Sequence, residues 1–270
     1  MFRSILIFYL SGFVKFFIDR EYRSLLFLGL RLIIRNENSS IKIQKKSFLF
    51  NDRLGLFWQY YEIYYREYYH FKPSKREEGI IVDCGANIGL SSLYFCQNYP
   101  NHTVIAFEPD PNVYQKLRTN LGHYENKITL INSAVYTEEG IQKFVSDGKD
   151  GGQLSFHKEV ESRIIEVKTV HFLNFLSQYE SIDMLKIDIE GAEKELIPHI
   201  APALQKVSNL FIEYHQYKDE GPFLSHLLSI LEQNGFHYKL EVPVKLKAPL
   251  ISTKVVNQCF LQVNIFASKQ

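Results

Sequence analysis

The chain has little of several things. Its 270 residues include only three cysteines, two methionines and one tryptophan, and 31 Lys and Arg are offset by 30 Asp and Glu, leaving a formal net charge of +1. A balanced charge without a basic tract lacks the electrostatic footprint of nucleic-acid binding, so no nucleic-acid partner is expected. Cys84, Cys96 and Cys259 are odd in number and have no C-x-x-C spacing. That argues against a disulfide frame or a zinc site and for reduced thiols in a cytoplasmic setting. Long apolar runs are missing too. The stretch Ile5 to Val14 is broken by Lys15, Asp19 and Arg20 with no small-x-small cleavage site behind it, well short of the roughly 20 residues of a membrane span. The G-x-G-x-x-G fingerprint is also absent: its glycine positions hold Gly85, Asn87 and Leu90, with Gly89 out of register. A nicotinamide-dependent oxidoreductase is disfavoured accordingly.

What is present suits one sizeable core with an appendage: 46% of the residues are hydrophobic. Residues 1–75 read as an N-terminal extension. Amphipathic helices are expected over 4–18 and 21–34, packed on the protein or, as the alternative, touching a membrane surface through residues 1–35. A strand over 41–50 and a helix through "LGLFWQYYEIYYREYYHF" follow, the latter with tyrosines at i, i+4 spacing that read as a packing face.

From Ile80 strands and helices alternate. Strands are expected at 80–83, 103–108, 128–131, 183–188 and 208–214, and helices at 89–98, 111–121, 171–178, 191–197 and 222–234. A β-rich insertion covers 140–170. Two last strands, 236–242 and 259–267, have no helix between them and should form an antiparallel hairpin. The pattern predicts an α/β fold over 76–270, a doubly wound, Rossmann-like, mostly parallel seven-stranded sheet.

In "VDCGANIGLSS" Asp83 ends the first strand, and a glycine turn brings the backbone close to a ligand. Gly85, Ala86, Asn87, Gly89 and Leu90 are candidate contacts. An acid at that strand tip suits a positively charged group and not a pyrophosphate. Glu108, with Pro109 behind it, ends the next strand 25 residues after Asp83, where two carboxylate oxygens can accept both hydroxyls of a ribose. Ser133 and Ala134, closing the third strand, should lie under a base. An ammonium, a ribose and an adenine without phosphate together describe S-adenosylmethionine, and hence a class I methyltransferase.

"IIVDCGANIGLSSLYF", "AFEPDPNVYQKL", "DMLKIDIEGAEKELI" and "LFIEYHQY" also resemble the FkbM-type S-adenosylmethionine-dependent methyltransferases, over about residues 48–266. The resemblance implies methylation of hydroxyls on sugars, glycans or polyketide-like small molecules.

The strand "MLKIDIE" carries Lys186, Asp188 and Glu190 at alternate positions, where a buried parallel strand should be apolar. Lys186 reads as a structural ion pair with a neighbouring acid. Glu193 and Glu195 read as the solvated face of a short helix. Asp188, Glu190, Glu213 and His215 should converge beyond the strand ends as catalytic groups, Asp188 also touching the cofactor. His215 is the expected general base, placed just after strand 208–214 and oriented by Glu213 or Asp188. These acids and the histidine would also permit a divalent metal, but their spacing fits no named metal motif, so no metal ligands are assigned. A non-catalytic cofactor- or partner-binding module is the alternative function.

Overall fold

The computed structural model describes residues 17, 19–34, 40–43, 46–50, 52–73, 78–146, 152–153, 163–217, 221–243 and 259–269. The chain divides into two compact units, residues 1–70 and 71–270.

In the first unit, helix α1 (Arg20–Ile34) buries Leu25 and Leu28. The helix expected over 4–18 lies outside the described residues apart from Phe17. The single strand expected over 41–50 is instead a hairpin of β1 (Ser40–Ile43) and β2 (Lys46–Leu49), paired from Ser40↔Leu49 to Ile43↔Lys46. Ile41 opposite Phe48 gives the same alternation as one continuous strand, and no Gly or Asn betrays the reversal. Helix α2 (Arg53–Tyr60) starts where Asp52 Oδ1 accepts the Leu54 N–H at 2.8 Å and runs into a π-helical turn, Tyr61–Tyr65. Tyr60 stacks on Tyr64 and Tyr61 on Tyr65, with ring centroids 4.7 and 5.4 Å apart. The i, i+4 tyrosines therefore pack on one another. Among the described residues no helix is long and apolar enough to cross a membrane.

The second unit carries a seven-stranded sheet in the order β12-β13-β11-β10-β3-β4-β5. Its strands are β3 (Gly79–Cys84), β4 (His102–Phe107), β5 (Ile128–Ile131), β10 (Ile182–Ile187), β11 (Val207–Tyr217), β12 (His237–Glu241) and β13 (Cys259–Ser268). β3, β4, β5, β10 and β11 run parallel, and β13 lies antiparallel between β11 and β12. The expected doubly wound sheet and C-terminal hairpin are both present. β11 runs to Tyr217 because β13 pairs along it as far as Tyr217↔Cys259. His215 is thus a strand residue, not the first residue after a strand, and it shares a face with Glu213. A second sheet, β6-β9-β7-β8, forms from β6 (Ala134–Tyr136), β7 (Gly140–Ser146), β8 (Gly152–Gln153) and β9 (Arg163–His171), where the β-rich insertion was expected.

Helices α3 (Leu90–Asn98), α4 (Pro111–Leu121), α5 (Phe172–Ser177), α6 (Glu193–Ile200) and α7 (Leu224–Gln233) connect the strands. Every residue of β10 is buried, and Leu185, Ile187, Leu196, Ile212 and Leu231 join one apolar core. After β5 the chain returns across β3 to build β10, so the strand order reverses between β3 and β10. In open α/β sheets the crevice beyond the carboxyl ends of the strands at such a reversal is where ligands bind. Gly89 seats α3 against α4: its φ is +98°, and a Cβ there would stand 2.7 Å from Leu117 Cδ1 and 2.9 Å from Leu121 Cδ1. Gly89→Ala should therefore cost about 1–3 kcal/mol in urea unfolding; an unchanged midpoint would contradict this packing.

Candidate active site

The reversal point holds an open cleft lined from the turns after β3, β4 and β10 and from the insertion sheet. One wall is the turn after β3. From Gly85 to Gly89 every backbone N–H is already spent: Gly85 and Ala86 donate to the Phe107 carbonyl, Asn87 to Glu108 Oε2, Ile88 to Asn87 Oδ1 and Gly89 to the Ala86 carbonyl. The turn thus offers no nest of free N–H groups to a phosphate, which is what a dinucleotide would need. Gly85 has φ +78°, and a Cβ on it would run into the Asp188 carbonyl oxygen, so the backbones of the β3 and β10 turns meet there side by side.

Glu108 stands at the tip of β4 and lines the cleft. Its Oε2 accepts the Asn87 N–H and its Oε1 the Asp110 N–H, each at 2.9 Å. Each carboxylate oxygen keeps a further lone pair. Burial raises its pKa to about 8, against the pull of those two backbone bonds. Asn132 steadies the loop by donating to the Glu108 and Pro109 carbonyls at 2.8 and 3.0 Å. Ser133, Ala134 and Pro109 also line the cleft, with apolar surface from Val113, Val135 and Phe144. Phe144 comes from the insertion sheet, which is tied to the β4 turn by Ser146 Oγ donating to Asp110 Oδ2 at 2.5 Å.

Asp83 requires a correction. Its carboxylate was expected to face a ligand, but the residue is 0% exposed. Oδ2 accepts Ser91 Oγ and Ser92 Oγ at 2.6 and 2.7 Å, and Oδ1 lies 3.3 Å from Lys186 Nζ. The side chain points to the face on which α3 packs, so it anchors that helix. Lys186 also reaches Asp188 Oδ2 at 3.4 Å and donates to the Gly85 carbonyl at 2.9 Å, the structural ion pair its sequence context suggested. Ala86 and Leu90 are buried, and with Gly89 they sit behind the cleft wall.

The opposite wall is acidic. Asp188 and Glu190 line the cleft, with Glu190 turned by left-handed backbone at φ +56° followed by Gly191 at +109°. His215, 5% exposed, lies behind them. Its Nε2 is 3.3 Å from Glu213 Oε1 and 3.6 Å from Glu190 Oε2, and its Nδ1 is 3.6 Å from Glu193 Oε1. Burial alone would lower the histidine's pKa, but the three carboxylates outweigh it and hold the ring protonated well above its usual range. An imidazolium so held is not a free general base near neutrality, which corrects the role expected of His215. Burial, then the Glu213 charge, pushes Asp188 up, and burial raises Glu190 to about 8. Burial would raise Glu213, but His215, with Lys186 and the Gln262 hydrogen bond, outweighs it and holds the carboxyl low.

Glu193 was read as a solvated helix residue and is 0% exposed. Its carboxylate accepts the N–H groups of Ile189 and Gly191 at 3.3 and 3.1 Å, closing the turn that aims Glu190. The buried imidazole of His215 on β11, 3.6 Å from this carboxylate, is the partner that a one-dimensional helix pattern does not display. Glu195 is exposed, as expected.

Residues 83–238, more than half of the chain, match the model of the methyltransferase FkbM domain, and the chain belongs to that family. Methyltransferase 1 of Beauveria bassiana is 26% identical over 206 residues, covering 67% of this chain and 81% of that protein. The 2-O-methyltransferase NoeI of Sinorhizobium fredii is 25% identical over 158 residues, 52% of this chain and 65% of that protein. The hexuronic acid methyltransferase AglP of Haloferax volcanii is 25% identical over 141 residues, 52% and 57% of the two chains.

The Lys186 knot yields a stability test. Removing Asp83 leaves a buried ammonium short of a counter-charge, so Asp83→Ala should cost about 3–5 kcal/mol by urea unfolding. A loss below about 1 kcal/mol would contradict the role given to this pair.

Proposed function

We propose that this methyltransferase uses S-adenosylmethionine and places the methyl group on a hydroxyl oxygen of a sugar, glycan or polyketide-like acceptor. The supporting observation is one cleft that joins a strand-tip carboxylate with spare lone pairs, Glu108, to a turn whose N–H groups are all occupied. A ligand with a ribose and no phosphate fits that pair. The relatives named as a 2-O-methyltransferase and a hexuronic acid methyltransferase support an oxygen acceptor with sugar character.

The residues fit the parts of that cofactor. Glu108 would accept the ribose hydroxyls, while Ser133, Ala134 and the apolar side chains of Val113, Val135 and Phe144 would flank the base. Asn87 and Gly85 border the same space, and the acidic wall of Asp188 and Glu190 suits the positively charged end. When bound, S-adenosylmethionine supplies a methyl carbon on a positive sulfur, so that the carbon–sulfur bond breaks as the oxygen–carbon bond forms and a neutral thioether departs.

The acceptor's O–H proton then needs a destination on the protein. Glu190 is the group placed for it, because its side chain lines the cleft and is 38% exposed, whereas His215 faces carboxylates from both ring nitrogens; with its pKa raised to about 8, Glu190 takes the proton in the ionised form it reaches on the alkaline side of neutrality. His215 and Glu213 act as its electrostatic support from behind the wall. Holding acceptor and methyl donor in line supplies the larger part of the rate. Methyl transfer from labelled cofactor to a panel of hydroxylated glycans, read by mass spectrometry, tests the reading. Tight cofactor binding with no transfer to any acceptor would favour the non-catalytic binding module.

Cofactor affinity should depend on pH through Glu108. The ribose hydroxyls need an ionised double acceptor, but burial keeps this carboxyl protonated up to about pH 8. Affinity measured by calorimetry should therefore strengthen as pH rises from 6 to 8 and then level off. Glu108→Gln should weaken binding by about 2 kcal/mol at pH 8.5 and flatten the profile. Affinity that is constant with pH, or unchanged in Glu108→Gln, would contradict the assignment.

A further inference from the structure

We infer that the ends of β10 and β11 form a binding site for one divalent cation of the Mg²⁺ or Mn²⁺ type, ligated by Asp188, Glu213 and His215. One ligand atom from each of the three lies within 4.8 Å of the others. No linear motif contains this set. It exists because the parallel pairing of β10 with β11, which runs up to Ile187↔Ile212, brings Asp188 level with Glu213, and strand alternation then puts His215 on the same face as Glu213.

Two observations outside the triad point to a cation. The first is Asn264, on β13 directly opposite Glu213 and only 2% exposed, whose Oδ1 has no hydrogen-bond donor. A buried amide oxygen left without a partner costs about 1–3 kcal/mol, and on the face it shares with Glu213 a metal ion satisfies it without a hydrogen. Gln262, opposite His215, donates to Glu213 Oε1 and so orients that carboxylate. The second is Glu193. It stands 3.6 Å from Nδ1 of His215, on the ring edge opposite Glu213, and is itself clamped by the N–H groups of Ile189 and Gly191. A fixed carboxylate behind the outer nitrogen of a histidine is the arrangement that sets ring orientation and tautomer when the other nitrogen ligates a metal.

Charge and donor type agree. Five carboxylates (Asp83, Asp188, Glu190, Glu193 and Glu213) are linked through one lysine, Lys186, and one imidazole, His215, whose Nε2 proton the ion would displace on binding. Oxygen donors with a single imidazole suit Mg²⁺ and Mn²⁺ better than a softer thiolate-seeking metal. Within the methyl-transfer reading, on which its role there rests, the ion would fix the acidic wall from behind and so hold Asp188 and the turn that carries Glu190, the group placed to take the acceptor's proton. Binding of the ion itself does not depend on that reading.

The test is Mn²⁺ titration of the full chain, followed by electron paramagnetic resonance of the free and bound ion. One saturable Mn²⁺ per chain is expected, displaced by Mg²⁺ and showing coupling to one imidazole nitrogen. Glu213→Gln and His215→Ala should weaken it about 10–100-fold, and Glu195→Gln, on the exposed face of α6, should leave it unchanged. No saturable Mn²⁺ binding by the wild-type chain overturns the site. So does a bound ion without nitrogen coupling, a readout that needs no variant to fold. Cofactor affinity and methyl transfer measured with and without chelator separate the two readings. Chelator-insensitive transfer with no bound Mn²⁺ overturns the metal site alone, whereas bound Mn²⁺ with no cofactor affinity supports the site and overturns the cofactor assignment.

Discussion

A single buried ammonium holds the cleft together. Lys186 is 2% exposed in the middle of a strand that is otherwise apolar except for Asp183. It bridges Asp83 and Asp188 and donates to the carbonyl of Gly85, so it ties the ends of β3 and β10 at the one place where the strand order reverses. A charge in that position is costly unless fully partnered. Because its partners are the two turns themselves, the cost is met only when both turns adopt their native positions. The Asp83 carboxylate passes the constraint on to α3 through Ser91 and Ser92. Helix, strand pair and cleft wall are thereby positioned by one network.

From that knot outward the site divides into a ligand side and a proton side. On the ligand side, the turn after β3 closes on its own N–H groups and hands Glu108 one of them, so the carboxylate is held without being exhausted. On the proton side, alternate residues just beyond the end of β10 and alternate residues of β11 bring acids together around His215. The negative excess there is tolerable only with protons, a cationic ligand or a bound cation. The proposed cofactor carries positive charge, and the inferred metal ion would add to it. Both proposals draw on the same electrostatic fact, the one at the cleft wall and the other behind it.

The sequence made part of this legible. Glu108 could be found because a strand tip at a fixed interval from a glycine turn has one location in an alternating α/β chain. Lys186, Asp188 and Glu190 stood out because ionisable residues at alternate positions contradict the pattern of a strand buried on both faces. Asp83 was found but misdirected: which face a strand-end side chain takes depends on where α3 returns, and the Lys186 that claims it is about a hundred residues away. Glu193 was hidden because its partner reaches it only through the sheet. Phe144 and Asn264 gave no signal at all. The first sits on an insertion outside the repeating pattern, and the second acquires its neighbour Glu213 only when β13 inserts antiparallel between β11 and β12. The histidine shows the remaining gap, since its ordinary pKa suggested a base and only the three surrounding carboxylates reveal a held cation.

In the proposed reading the cleft at the β3/β10 reversal takes a ribose-bearing cofactor by way of Glu108, with its charged end toward Asp188 and Glu190. A crystal structure of the full chain soaked with S-adenosylhomocysteine tests this most directly. Both ribose hydroxyls should lie within hydrogen-bond distance of the Glu108 carboxylate, the adenine beside Ser133 and Val135, and the sulfur should face the acidic wall. A ligand bound elsewhere, or one seated in the cleft with its ribose turned away from Glu108, would contradict it.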